Sequence, residues 1–238
     1  MKRDIIIIAA AFMIFFACKK IFKGVKGSGP VTTETRAVSG FKGVDLGVSG
    51  DVYMTQGADF KVVVETQANV AELLETYVDD GVLKIYFRKN TSNVNYDKLI
   101  VRIEAPVFES IGLYGSGNIV AENALKGQNL AVLLSGSGDV KITDATYNAI
   151  NGDVTGSGNI EVGGMTESSD FRVSGSGDIN ASNLKSKQTK ADIIGSGNID
   201  CTAETDLEAA VLGSGDIHYS GNPTVKSRVT GSGDIVKK

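Results

Sequence analysis

Tryptophan is absent from the 238 residues, histidine occurs once, cysteine twice and proline three times. Each scarcity removes a class of protein. A structural zinc site takes four nitrogen or sulfur ligands, and His218, Cys18 and Cys201 supply three at most. Two cysteines cannot make a disulfide scaffold. So little proline excludes a collagen-like or proline-rich linker protein. The charge balance, 24 basic against 28 acidic residues, is −4 and gives no reason to expect nucleic acid as a partner. No G-x-S-x-G and no Gly-Lys dipeptide occurs, so serine hydrolase and phosphate-loop signatures are missing too. What the chain does have is glycine, 29 residues or about 12% against a usual ~7%, within an otherwise globular balance of 42% hydrophobic and 22% charged.

The start of the chain reads as an export signal. Met1-Lys2-Arg3-Asp4 is mostly basic, and Ile5 to Phe16 is an unbroken apolar run of twelve. As a helix it would reach only ~18 Å, short of a ~30 Å hydrocarbon slab. Phe15-Phe16-Ala17-Cys18 resembles the lipobox of bacterial lipoproteins, although Phe15 stands where leucine is commoner. This gives a signal peptide at 1–17, a lipidated Cys18 with a basic Gly- and Ser-containing tether at 18–35, and a folded domain at 36–238. The partner implied is a membrane, reached through the lipid anchor, with Lys19, Lys20, Lys23 and Lys26 against anionic head groups or simply conferring solubility. An ordinary cleaved signal with an incidental cysteine and an uncleaved anchor are the alternatives. Acylation of Cys18 would leave Cys201 without a disulfide partner.

The rest is dominated by a repeat. Gly115-Ser116-Gly117-Asn118-Ile119 returns as Gly136-Ser137-Gly138-Asp139-Val140, Gly156-Ser157-Gly158-Asn159-Ile160 and Gly175-Ser176-Gly177-Asp178-Ile179. Gly195-Ser196-Gly197-Asn198-Ile199, Gly213-Ser214-Gly215-Asp216-Ile217 and Gly231-Ser232-Gly233-Asp234-Ile235 complete the series. The first glycines are 21, 20, 19, 20, 18 and 18 residues apart, and a degenerate copy stands at Ser49-Gly50-Asp51-Val52. Two residues before each first glycine the column reads Leu113, Leu134, Val154, Val173, Ile193, Val211, Val229. Ile119, Val140, Ile160, Ile179, Ile199, Ile217 and Ile235 form a second column after the corner. Period two means strands with one buried face, and a 20-residue unit can bury that face only against its neighbours. The expected fold is all-β: a single-stranded parallel β-helix or β-solenoid of ~20-residue coils, irregular over 36–110 and regular over 111–238. Glycine at the corners answers a need for positive φ and for close approach between coils.

After the second glycine stand Asn118, Asp139, Asn159, Asp178, Asn198, Asp216 and Asp234, alternating until the last pair. Stacked at ~4.8 Å, an unbroken row of aspartates would repel by about 1 kcal/mol per neighbour in water and several at lower effective dielectric. Interleaved amides double the spacing of charges and can donate. A Ca²⁺ ladder like that of β-roll repeats is the weaker reading, because those are nonapeptides of G-G-x-G-x-D form. No cofactor is expected beyond that weak Ca²⁺ alternative.

In the first half, Asn69 to Tyr77 is the one helical-looking stretch, with Val70, Leu73, Leu74 and Tyr77 at helical spacing behind an N-cap-type Asn69. Strand-like runs surround it, and these coils are expected to cap the rod. Val38-Ser39-Gly40-Phe41-Lys42-Gly43-Val44, Asp51 to Gly57, Asp80 to Ile85, Ala105-Pro106 and the Gly-Ser-Gly-Asn/Asp-Ile series together resemble the putative auto-transporter adhesin head GIN domain family over residues 36–238. That resemblance implies a right-handed β-helix akin to pectin-lyase-type folds, no transferable catalytic residues and a role in cell adhesion.

Function is therefore expected to be binding without catalysis, in an exported lipoprotein anchored to the outer membrane on its periplasmic or cell-surface face. A surface glycan or a protein is the expected ligand, and edge or end contacts leave homo-oligomers open. A lyase-like polysaccharide enzyme and a purely structural or sensory envelope component are the alternatives. For an enzyme, Lys141, Glu161 and Asp200 are the acidic and basic groups on one outward column, and ordinary solvated strand positions explain them as well. His218 has no sequence-evident partner, and Cys201 reads as a small apolar filler. Tyr53, Tyr77, Tyr86, Phe87 and Tyr96 offer stacking surface for sugar, or core packing. Lys237 and Lys238 discourage end-to-end stacking.

Overall fold

The computed structural model describes residues 24–91 and 93–238, so the expected signal peptide at 1–17, Cys18, Lys19, Lys20 and Lys23 lie outside the described residues. The first half contains β1 (Val31–Arg36), β2 (Gly43–Leu46), β3 (Asp51–Gln56), β4 (Lys61–Gln67), α1 (Ala68–Ala71), β5 (Leu74–Asp79), β6 (Val82–Phe87) and β7 (Leu99–Ala105). The repeats supply β8 (Ser110–Leu113), β9 (Asn118–Ala121), β10 (Leu125–Lys126), β11 (Asn129–Gly136), β12 (Asp139–Gly156) and β13 (Asn159–Gly175). They continue with β14 (Asp178–Gly195), β15 (Ile199–Gly213), β16 (Ile217–Ser220), β17 (Thr224–Gly231) and β18 (Ile235–Lys237). The fold is the expected β-solenoid, of about six turns.

From β8 onward all rungs pair in parallel. Gly136, Gly156, Gly175, Gly195, Gly213 and Gly231 face one another in register from coil to coil. The carbonyl of Gly175 receives the N–H groups of both Ser196 and Gly197, at 2.8 and 3.2 Å, and Gly156 receives Ser176 and Gly177 at 2.9 and 3.1 Å. Both glycines of the repeat are pressed against the coil below, a Cβ on Gly213 falling 2.0 Å from the Gly195 carbonyl oxygen, and the first glycine carries a conformational need as well. Five of the first glycines, Gly156, Gly175, Gly195, Gly213 and Gly231, have φ between 130° and 143°, where a side chain is strained. The second glycines lack that conformation but are pressed against the coil before them: a Cβ on Gly197 would stand 1.8 Å from the Gly177 carbonyl oxygen.

Inside, the two expected columns are buried as far as Val211 and Ile217, while in the last coil, which has no rung above it, Val229 is 43% exposed and Ile235 half-buried; the volume at each level is matched across rungs. Gly152 interrupts the column of Val132, Phe171 and Ala191, and Phe171 fills the gap, lying 3.0 Å from where a Cβ on Gly152 would be. Burial of one large apolar side chain is worth about 1.5–3 kcal/mol, so these columns supply the main cohesion of the rod. Cys201 lies in this core at 2% exposure, and burial, aided by the Asp200 charge, pushes its thiol from 9.0 up to about 12.

The first half departs from the sequence reading in three ways. Spatial order differs from chain order: β2 lies between β6 and β8, and β3 between β7 and β9. The degenerate Ser49-Gly50-Asp51-Val52 therefore sits directly against the first full repeat, with Asp51 opposite Asn118. Beyond β6 and β7 the parallel stack is closed by antiparallel partners, β5 on β6, β4 on β7 and β1 on β4.

Second, the helix expected over 69–77 is only Ala68–Ala71. Leu74, Thr76 and Val78 instead pair with Phe87, Ile85 and Leu83 across a tight turn in which Asp80 and Gly81 have φ of 49° and 72°. Strand pairing that seals the end of the core overrides the helical spacing. Asn69 is not the N-cap, a position held by Gln67; its amide donates to the Lys26 carbonyl at 2.9 Å and its oxygen accepts the Ser28 N–H at 2.9 Å. Third, the tether expected at 18–35 is shortened, because Val31–Arg36 forms β1 and pairs with Val62–Gln67. The β-branched Val31, Thr32, Thr33 and Thr35 suit an edge strand better than a linker.

Gly197→Ala should lower the unfolding free energy by about 3 kcal/mol or more, because backbone must move to admit the methyl, whereas Ser196→Ala beside it should stay within about 0.5 kcal/mol. Urea unfolding of both variants tests this; equal midpoints would refute the close-approach argument. Cys201 should resist thiol reagents in the native protein and react on unfolding. Since its folded pKa is raised, its contribution to stability is present below about 9 and lost as pH rises toward about 12. Cys201→Ala should accordingly lose stability less steeply across that window.

Candidate functional site

The register that builds the core also rules the outside into columns. On the face made by β11, β17 and the latter parts of β12 to β15, Asp170, Lys190, Glu208 and Lys226 stand on consecutive rungs. One column along, Asp153, Arg172 and Asp192 do the same. The Lys190 ammonium is 3.0 Å from Asp192 and the Arg172 guanidinium 3.8 Å from it. Its hydrogen bond to Asp192, with the Asp170 charge behind it, holds the Lys190 amine above its usual range. A shallow cleft of 620 Å³ runs over the first of these columns, Asp170, Lys190, Glu208 and Lys226. Beside it Ile194 and Leu212 are exposed at 53% and 54%, over a more apolar cleft of 530 Å³ flanked by Arg172 and Arg228.

The Asn/Asp column is hydrogen-bonded through its side chains at every step except that from Asn118 to Asp139. Asn118 donates its amide to Asp51 at 2.8 Å, Asn159 to Asp139 at 2.8 Å, and Asn198 to Asp178 at 3.0 Å. Asp51 extends the alternation by one rung below the first full repeat. Backbone N–H groups of Asp178, Asn198, Asp216 and Asp234 also donate to the side-chain oxygen one rung below. Each amide thus spends its donors on the carboxylate beneath it. Among the described residues no group of three or more His, Cys, Asp or Glu side chains converges where a metal ion could sit.

The outward column weighed for catalysis is spread along the rod. Lys141 pairs with Glu161 at 2.7 Å, and Asn180 then separates Glu161 from Asp200. Lys141 and Asp200 are three rungs, or about 14 Å, apart and cannot act on one atom. His218 Nδ1 lies 3.6 Å from Asp200, giving the histidine the partner that the sequence did not reveal.

The five aromatic candidates are dispersed. Tyr53 lies under the Arg102 guanidinium at 4.9 Å, and Phe87 packs on Tyr96 at 5.8 Å beside the core. Tyr77 and Tyr86 share an outer face, where the residue just after β8 adds a third ring, Tyr114, which sequence reasoning missed. Tyr77 and Tyr114 are 47% and 41% exposed. Between them lies the Asp45–Lys84 ion pair, at 2.5 Å, whose hydrogen bond raises the Lys84 pKa. Burial, and then the Asp45 carboxylate, raises the Tyr86 and Tyr114 phenols. One signal did exist in the sequence: Tyr114 is the only aromatic residue in the position just before a first glycine.

The model of the family described as Putative auto-transporter adhesin, head GIN domain, matches residues 40–223. The chain belongs to the head GIN domain family. Its solenoid is similar to that of a putative adhesin from Bacteroides fragilis, at 29% identity and a TM-score of 0.87, over 90% of this chain and 100% of the other. A putative lipid binding protein from Parabacteroides distasonis is similar at 25% identity and TM-score 0.77, and a putative adhesin from the same species at 25% and 0.74; each match covers 91% of this chain and 100% of the other. Among curated proteins none matches. The head GIN match takes in six of the seven full repeats together with β4 and β5 of the closing strands, while β1 lies outside it.

Asn159→Asp would stack three carboxylates, Asp139, Asp178 and the new one, and remove an amide donor. Its melting temperature should fall at low salt and recover partly in high salt, as screening relieves the repulsion. Asp234→Asn, which breaks the one native Asp-Asp step, should be neutral or stabilising under the same conditions. Unchanged melting of Asn159→Asp at low salt would refute the electrostatic account.

Proposed function

We propose that this head GIN protein is an exported envelope lipoprotein that binds its ligand without turning it over. The observation that carries this reading is the outer surface itself: flat columns of polar and charged side chains at a fixed rung spacing along a rigid rod. Such a face suits an extended or repetitive ligand, a surface glycan or a protein, because contacts recur at intervals along it. Family membership and the adhesin names of its structural relatives support the same reading. Lipid enters in two ways, through the Phe15-Phe16-Ala17-Cys18 sequence and through the relative named as lipid binding. Of the two, attachment by acylated Cys18 is favoured, since a basic n-region and a twelve-residue apolar run precede it.

Cys18→Ser should move the protein from the membrane to the soluble envelope fraction, and mass spectrometry of the wild-type N-terminus should find acyl chains on Cys18. An unmodified mature N-terminus would sink the anchor. Exposure of the anchored protein to glycan and protein arrays, with product analysis, tests the rest: retention without product supports a binding module, and released oligosaccharide overturns it in favour of an enzyme.

A further inference from the structure

The outer surface of β2 is almost bare backbone. Its outward residues are Gly43, Asp45 and Gly47, with Lys84 and Tyr86 of β6 on one side and Gly112 and Tyr114 on the other. Neither Gly47 nor Gly112 has the positive φ that would require glycine, and glycine inside a strand costs about 0.5–1 kcal/mol. Their neighbours explain them. A Cβ on Gly47 would lie 2.0 and 2.2 Å from Cε1 and Cδ1 of Tyr86, and one on Gly112 would lie 2.3 Å from Oδ1 of Asp45 and 2.8 Å from Cε2 of Tyr114. Tyr86 therefore leans over Gly47 on the neighbouring rung and Tyr114 folds back along its own strand over Gly112, the two residues being rooted two strand intervals, or about 9.6 Å of backbone, apart. Asp45, buried between them, holds the Lys84 ammonium at 2.5 Å and leaves its other hydrogens free to donate.

We infer that this platform, Tyr86 and Tyr114 with Lys84 held by Asp45, is a subsite for a neutral polysaccharide chain. Aromatic rings fixed against the surface stack on the apolar faces of sugar rings without further loss of side-chain freedom. Lys84 and the phenol hydroxyls supply hydrogen bonds to sugar hydroxyls, and the Asp45–Lys84 charges cancel, which favours a neutral chain over an acidic one. A separation of two rungs lets the two tyrosines take different residues of one chain. The inference deepens the binding-module reading and rests on it. The rival use of these rings is purely structural, as covers over strand glycines.

Affinity electrophoresis through gels containing mannan, mixed-linkage β-glucan or xylan, with polygalacturonate as the acidic counterpart, tests the subsite. At least one neutral polymer should retard the wild type more than polygalacturonate does. Tyr86→Ala and Tyr114→Ala should each weaken that retardation about tenfold, Tyr114→Phe much less, and Tyr53→Ala under Arg102 not at all. Because Tyr86→Ala risks loosening β6, the exposed Tyr114→Ala and thermal melting of every variant separate binding from stability. With no tryptophan present, tyrosine fluorescence gives a second readout, which the neutral polymer should perturb in the wild type and less in Tyr114→Ala. Lowered melting of the tyrosine variants with unchanged retardation would assign the rings to structure and overturn the subsite. Retardation lost only when Arg172 or Lys190 is replaced would also overturn it while leaving glycan binding standing. No retardation by any neutral polymer would overturn it and leave the binding-module reading to protein ligands.

Discussion

Rungs of this solenoid are joined at the corner, where one glycine carbonyl accepts two amides from the following coil. Gly175 with Ser196 and Gly197 shows the geometry, at 2.8 and 3.2 Å. For both donors to reach the same oxygen, the second glycine must press onto the backbone below it, and no residue with a Cβ fits there. The corner therefore sets the stacking register. Since strand side chains alternate, a one-residue slip would turn every apolar column outward. Core burial and corner geometry thus support the same alignment, and a fault in either destabilises both.

Fixed register has an electrostatic consequence. Whatever occupies a position meets its own column every ~4.8 Å, so like charges cannot be spread out by side-chain choice elsewhere. Three columns meet this constraint in related ways. Next to the corner, amides alternate with carboxylates and donate to them. On the broad face, Asp170, Lys190, Glu208 and Lys226 alternate in sign. On the strand segments that follow the corner, Lys141 precedes Glu161, and neutral Asn180 separates Glu161 from Asp200. Each surface pair is worth little by itself, about 0–1 kcal/mol. An unrelieved run of one sign would nonetheless accumulate repulsion over the length of the rod.

Where a residue's neighbours lie one repeat away, the sequence could be read directly. The buried columns, the corner glycines and the alternating Asn/Asp ladder all follow from an interval of about twenty residues. Legibility failed where partners are distant and irregularly spaced. Asp51 stacks on Asn118, 67 residues on, because a cap-forming excursion lies between them. Leu74 to Asp79 had helical spacing and period-two spacing at once, and only the open edge of β6 decided between them. Asn69 had the chemistry of an N-cap, yet its donors and acceptors went to the incoming strand at Lys26 and Ser28. The tyrosine platform failed for the same reason. Gly47, Lys84, Tyr86 and Tyr114 come from three strands whose adjacency depends on β2 lying between β6 and β8.

The same topology explains why the platform lies at the closed end. Regular rungs are bound to the repeat: each outward position continues a column above and below it, and a bare strand there would interrupt the pairing of charges. Near the cap the columns stop, since antiparallel β5 replaces a further coil and ends the periodic demand. Residues on β2, β6 and β8 are free to depart from the pattern, and they do so with glycine, tyrosine and a single buried ion pair. The incoming chain reaches this end too, through β1 on the outermost edge of β4 and through Lys26 beside Asn95. An anchor at Cys18 would hold the rod by its capped end, with the platform on the rungs nearest the attachment and the alternating charge columns farther out along the rod. One rod thus carries two chemically different surfaces in series, the glycine and tyrosine platform at its closed end and the alternating charge columns beyond it.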